Sequence, residues 1–98
     1  YYVIDYKTNH LGNAPSDYDP AALTRAIQHH QYDLQYLLYS VAVKKILARR
    51  QPETPFEDLF GGVVYLFLRG MTGNPGAGVH FDPVSPALIR ALEASLNP

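Results

Sequence analysis

An aspartate and a lysine stand two residues apart at the end of an aromatic and β-branched run, Tyr1-Tyr2-Val3-Ile4-Asp5-Tyr6-Lys7. Such a run predicts a buried β-strand. Strand side chains alternate with period two, so Asp5 and Lys7 point to one side and Tyr6 to the other. Opposite charges at the end of an apolar strand cost desolvation unless something pairs with them. One solution is a divalent cation, with Asp5 as an oxygen ligand and Lys7 beside it to polarise a water or hold a phosphate. The other is a plain ion pair at the frayed end of an edge strand. So short a pattern leaves both open.

Further along, Gln35 and Tyr39 are four residues apart in an apolar-periodic stretch, hence stacked on one face of a helix and close to its apolar stripe. A glutamine and a tyrosine placed there need hydrogen-bond partners. Either they aim at a ligand or the catalytic strand, or they satisfy each other and nearby backbone. Asn9 and His10 follow the charged strand end and lie within reach of whatever binds there; for His10 a turn hydrogen bond is the expected role. His29 and His30 are adjacent, so on a helix they point in different directions and do not make a His-x-x-x-His metal site.

The elements that must position these residues are readable in outline. After Lys7, the segment Thr8 to Asp19 has the Asn, Gly, Pro, Ser and Asp content of a loop, and a connection of that length is often functional. Asp19-Pro20 caps and starts a helix to about His29 or His30, with Leu23, Ala26 and Ile27 buried. A second helix runs from about Tyr32 or Asp33 to Arg50, with Leu34, Leu37, Leu38, Val41 and Leu47 as its apolar face. Its cations Lys44, Lys45, Arg49 and Arg50 suit the C-terminal end of the dipole. Gln51 to Asp58 reads as a linker. Gly61 to Gly70 reads as a strand, and its continuous apolar run predicts a central place covered on both faces. Thr72 to Gly78 is a turn, Val79-His80-Phe81 a short returning strand. Ser85-Pro86 opens a last helix to about Leu96 with Leu88, Ile89 and Leu92 buried. The order is that of an α/β fold.

Composition narrows the function classes. The 98 residues make one small domain or part of one, and 47% hydrophobic residues suffice for a modest core. Eight basic against nine acidic residues argue against an autonomous nucleic-acid binder, though not against a domain whose DNA is delivered by a larger protein. No cysteine is present, so disulfides and thiolate metal sites are excluded, and a reducing compartment is the default. The run Val63 to Leu68 is far too short to span a bilayer. No basic-then-apolar leader precedes Tyr1, and the chain opens on a strand without an initiator methionine. It is expected to be a piece of something longer.

Three strings carry a resemblance: IDYKTN (Ile4 to Asn9), YDLQYLLY (Tyr32 to Tyr39) and FGGVVYLFLRGM (Phe60 to Met71). Together, in this order and spacing, they closely resemble the C-terminal nuclease domain of RecB-type enzymes, in the PD-(D/E)XK superfamily. The resemblance covers nearly the whole of residues 1–98. Asp-x-Lys or Gln-x-x-x-Tyr alone is weak; the combination is specific. It implies a partial restriction-endonuclease-like core, a central mixed sheet flanked by helices and lacking its N-terminal elements. It also implies a Mg²⁺-dependent exodeoxyribonuclease of the exodeoxyribonuclease V type, in a helicase–nuclease for double-strand-break repair and recombination. Asp5 then matches the metal-binding carboxylate, with the main-chain carbonyl of Tyr6 a further ligand. Lys7 matches the lysine that positions the attacking water and steadies phosphate charge. Gln35 and Tyr39 match the element that orients substrate or catalytic groups, and Asn9 closes the first string. His30 matches a histidine to which no catalytic duty is given. The implied partners are DNA and, through the parent chain, the RecC and RecD subunits, in the cytoplasm and away from membranes.

The chain also departs from that pattern. RecB-type sites use an acidic residue on a preceding strand, in a Gly-x-x-Asp setting, and a histidine further upstream; the sequence, starting at Tyr1, contains neither. Asp5 and one carbonyl predict low metal affinity and little or no nuclease activity for the fragment alone. The first strand is expected to keep an unpaired edge, which invites a second copy. Two other readings stay open: an interaction module that loads the RecA recombinase without catalysis, and a degenerate structural remnant.

Overall fold

The structure, a computed structural model, describes residues 1–74 and 76–96. Its elements are β1 (Tyr2–Lys7), α1 (Pro20–His29), α2 (Tyr32–Arg50), α3 (Phe56–Leu59), β2 (Gly62–Phe67), β3 (Val79–Asp82) and α4 (Pro86–Leu96), with 3-10 turns at Pro15–Tyr18 and Leu68–Gly70. The three strands form one sheet in the order β1-β2-β3. β1 runs parallel to β2, and β3 returns antiparallel to β2. The expected mixed α/β sheet is present, and β2 holds the central place. Pro75, counted in the expected turn before β3, lies outside the described residues.

The register sorts the sheet into two unlike faces. On one, Val3, Val63 and Asp82 form a cross-strand row, followed by Asp5, Tyr65 and His80, then Lys7 and Phe67. Val63, Tyr65 and Phe67 are fully buried there, packed with Leu23 and Ile27 of α1, Tyr36 and Val41 of α2, and Ile89 of α4. The opposite face carries Tyr2, Ile4, Tyr6 and Phe81, which are 58, 56, 63 and 53% exposed. β1 therefore buries only Val3, and the expectation of a buried first strand is corrected. Likewise β2 is covered fully on one face, while Val64 and Leu66 on the other are half-buried. The physical reason is that the described core lies on one side of the sheet only, so alternation decides which apolar side chains meet it.

Local signals place the helices. Asp19 Oδ1 accepts from the Ala22 amide at 2.8 Å, the expected cap, with Pro20 at the first helical position. Leu23, Ala26 and Ile27 are buried as their spacing requires. Only His30 and Gln31 separate α1 from α2, and Gln31 takes the left-handed conformation (φ 57°) that turns the chain this sharply. The loop from Thr8 to Asp19 is pinned by Tyr18, which is buried; its hydroxyl accepts from the Leu11 amide at 3.1 Å. The Tyr18 ring lies against Gly70, where any side chain would collide with it. Arg69 Nε donates to the Thr8 carbonyl at 2.6 Å, tying the chain beyond β1 to the end of β2.

Two helical faces differ from expectation. On α2 the buried row is Tyr36, Ser40 and Leu47 with Val41 beside it, while Leu34 and Leu38 are 49 and 42% exposed. Polar tips set this rotation: Tyr36 donates to Asp82 Oδ2 at 2.6 Å and Ser40 to the Tyr36 carbonyl at 2.7 Å. The first bond requires that side of the helix to face the sheet; the second, to the carbonyl one turn back on the same helix, satisfies the buried Ser40 hydroxyl there. On α4, Ile89 is fully buried and Leu92 half-buried, but Leu88 is exposed. The expected linker Gln51 to Asp58 contains the start of α3, whose Glu57 pairs with Arg90 of α4. These burials predict that Leu23→Ala costs about 2–5 kcal/mol of unfolding free energy. Leu34→Ala should stay within about 0.5 kcal/mol, as surface changes do. Urea unfolding of the two variants checks both.

Candidate active site at the end of the first strand

Asp5 and Lys7 project from the covered face of β1, as alternation demands, and form an ion pair with Nζ 2.8 Å from Oδ2. Their side chains are 30 and 13% exposed, so Lys7 is the more deeply set of the two. An ammonium so enclosed needs acceptors for its remaining protons. Gln35, on the first turns of α2, supplies one: its Oε1 accepts from Lys7 Nζ at 3.2 Å. The same oxygen accepts from the Tyr65 hydroxyl at 2.6 Å. Gln35 thus bonds side chains of β1 and β2, and no hydrogen bond to Tyr39 joins the pair among the described residues.

Tyr65 is one residue that sequence reasoning missed. Inside an apolar run it reads as core, and its ring is indeed fully buried. Its register opposite Asp5, on the same face, brings its hydroxyl to Gln35. Burial, followed by the nearby Asp5 and then Tyr39 and Tyr32, pushes that hydroxyl well above the ordinary phenol range. It thus stays protonated and remains a donor. The available signal was the rule that a buried tyrosine needs a partner for its hydroxyl.

Tyr32 was also missed as a site residue. Its ring centroid lies 4.1 Å from Lys7 Nζ, and that of Tyr65 lies 5.0 Å away. Asn9 joins this group from beyond β1, its Nδ2 donating to the Tyr32 hydroxyl at 3.2 Å. His30 stacks on Tyr32, with centroids 5.1 Å apart and planes at 19°. His10, by contrast, bonds Asn13 at 3.0 Å in the expected turn. Tyr39 enters the cluster by no hydrogen bond among the described residues: it is 44% exposed, though near enough to Tyr65 to help push that hydroxyl up. Asp5, Lys7, Gln35 and Asn9 are therefore gathered at one place, and Tyr39 lies one helical turn beyond Gln35, partly exposed.

The donors available to a cation are few. Hard divalent cations take oxygen ligands, and Mg²⁺ uses one or two carboxylates with waters and substrate phosphate. Asp5 is right in kind. Among the described residues, however, no group of three or more His, Cys, Asp or Glu could hold a metal ion. One carboxylate falls short of the number of ligands such a cation needs, so further donors would have to come from elsewhere.

Beside the cluster, the row Asp5, Tyr65, His80 ends on a histidine whose Nε2 is buried without a partner among the described residues. Burial depresses the His80 pKa, offset in part by Asp82. Asp82 is itself held by the Tyr36 hydroxyl and, at 2.8 Å, by the Val84 amide. The fold thus favours neutral His80.

The chain is similar over nearly its whole length to one segment of a much longer protein. "RecBCD enzyme subunit RecB" of Haemophilus influenzae is 45% identical over 95% of this chain and 8% of that protein. The protein of the same name in Escherichia coli K12 is 42% identical over 95% of the chain and 8% of its own length. That of Mycobacterium tuberculosis H37Rv is 49% identical over 99% and 10%. The chain therefore spans no more than about a tenth of the length of these curated relatives. No protein-family model matches it. Among the described residues, no helix is long and apolar enough to cross a membrane.

The depressed His80 pKa has a signed consequence. Below the ordinary value of 6.5 the unfolded chain takes up a proton that the folded chain resists, so stability falls as pH drops through that window. Urea midpoints measured from about pH 8 to about pH 5 should decline, and His80→Gln should remove part of the slope. An unchanged slope in His80→Gln would show that His80 is not the group responsible.

Proposed function

Because the chain is a relative of one segment of the RecB subunit, we propose that it forms the strand-and-helix half of a DNA-cleaving centre in a RecBCD-type helicase–nuclease. In that reading the chain contributes to Mg²⁺-dependent exonucleolytic hydrolysis of phosphodiester bonds during break repair and recombination. A cytoplasmic place, and RecC and RecD as partners of the complete subunit, follow from the same reading. The observation that carries it is the convergence of Asp5, Lys7 and Gln35 from two elements far apart in sequence, through contacts of 2.8 and 3.2 Å.

The residues divide the work by their chemistry. Asp5 offers a carboxylate oxygen to a hard cation, with the Tyr6 carbonyl as a further donor. When bound, Mg²⁺ supplies Lewis-acid polarisation of the phosphodiester and of a water. Lys7 brings a positive charge to the phosphate oxygens and orients the attacking water, released from Asp5 when the carboxylate turns to its new partner. Gln35 keeps the ammonium in place through that exchange, because its oxygen is itself held by the Tyr65 hydroxyl. In this reading Tyr39, partly exposed one turn along α2, and Asn9, at the strand end, meet the DNA. Since this chain brings one carboxylate, the cation is held mainly by donors from the rest of the subunit and from the substrate.

The test replaces the matching segment of the Haemophilus influenzae RecB with this chain and follows degradation of end-labelled linear DNA in Mg²⁺ by the assembled RecBCD enzyme. The graft should cut. Asp5→Ala and Lys7→Ala should each slow it by about a hundredfold or more without preventing assembly, as loss of a group acting in the chemical step does. Equal cutting by graft and variants means that the site is wrongly assigned. An assembled but inactive graft means that the nuclease reading is wrong.

A further inference from the structure

Lys7 has more around its ammonium than the chemistry above employs. Asp5 and Gln35 take two of its directions, and the rings of Tyr32 and Tyr65 lie 4.1 and 5.0 Å from Nζ. Both distances are within the range at which a ring face attracts a cation. Tyr65 also serves Gln35 through its hydroxyl; Tyr32 does not touch Gln35 by any hydrogen bond among the described residues.

Tyr32 is held in turn from two sides. Its hydroxyl lies 3.2 Å from Asn9 Nδ2, which donates to it, and 3.4 Å from Asn9 Oδ1, to which it donates. His30, between α1 and α2, stacks on the ring, and its Nε2 lies 3.5 Å from the same Asn9 amide. The hydroxyl bonds and the stacking both hold the plane of a ring whose face attracts the ammonium.

Resting on the nuclease reading, we propose that Tyr32 is a positioning residue of that site: its ring, steered by Asn9 and His30, holds Lys7 where a phosphate oxygen arrives. The physical case concerns what happens when substrate comes. A carboxylate alone would draw the ammonium onto itself, and an amide oxygen holds one proton in one direction. A ring face attracts the cation without claiming a proton in a fixed direction. The N–H on that side can turn to an anionic oxygen while the ammonium stays in place. Asn9 and His30 thereby act on Lys7 through Tyr32, which gives the loop beyond β1 and the α1–α2 junction a part in the site.

Two readouts test this. In the grafted RecBCD enzyme, Tyr32→Phe keeps the ring and its stacking on His30 but loses the Asn9 bonds, and should lower kcat by no more than about threefold. Tyr32→Leu should lower kcat about tenfold, the scale of one cation–π contact, with KM for DNA little changed. In the chain itself, the Lys7 side-chain protons next to Nζ should be shifted upfield by the ring in wild type and Tyr32→Phe, and should move back downfield in Tyr32→Leu. If Tyr32→Leu does not fold, Tyr32→Met takes its place as a flexible filler of the same gap. Tyr32→Leu cutting as fast as wild type, or Tyr32→Phe losing as much as Tyr32→Leu, overturns the inference while leaving the nuclease reading intact. An unshifted Lys7 signal in wild type overturns it on geometry alone. A wild-type graft that does not cut removes the nuclease reading, and the inference with it.

Discussion

A lysine whose side chain is only 13% exposed has little water to rely on, and its ammonium protons call for protein partners. Lys7 meets that demand with a carboxylate on its own strand, an amide oxygen on α2, and the faces of two tyrosines. These partners come from β1, α2 and β2. Placing them around one nitrogen sets how α2 lies on the sheet near its N-terminal end. The bonds from Tyr36 to Asp82 and from Tyr65 to Gln35 hold the same arrangement from the other side. A polar network of this kind is stable only when its members are satisfied together.

That constraint explains features that packing alone does not. The exposed Leu34 and Leu38 are apolar residues given up to solvent so that Gln35 and Tyr36 can reach the sheet. The polar row Asp5, Tyr65, His80 crosses the buried face of the sheet at the point where an all-apolar row would be the cheaper solution. Polar groups retained in a core without an evident gain in stability mark the place where a chain does something besides fold.

Much of this was legible in residue types and spacing. Asp19-Pro20 marked the start of α1, the apolar run marked β2 as central, and the alternation of β1 put Asp5 and Lys7 together. The resemblance carried by IDYKTN, YDLQYLLY and FGGVVYLFLRGM agrees with the identity to RecB over nearly the whole chain. What could not be read were facts of tertiary register. Tyr65 looks like core until β2 is set parallel to β1 with Tyr65 opposite Asp5. Tyr32 looks like the start of a helix until its ring is found over Lys7. Tyr2, Ile4 and Tyr6 look buried by composition, and they are exposed because the described core covers one side of the sheet only.

The central claim is that Lys7 and Gln35 act as one unit across two elements. A double-mutant cycle with Lys7→Met and Gln35→Leu, read by urea unfolding, measures that most directly. The account predicts a coupling of about 1 kcal/mol or more, the range of a hydrogen bond to a charged group between residues in contact. Additive losses, with no coupling beyond error, would contradict it: the 3.2 Å contact would then hold nothing in place.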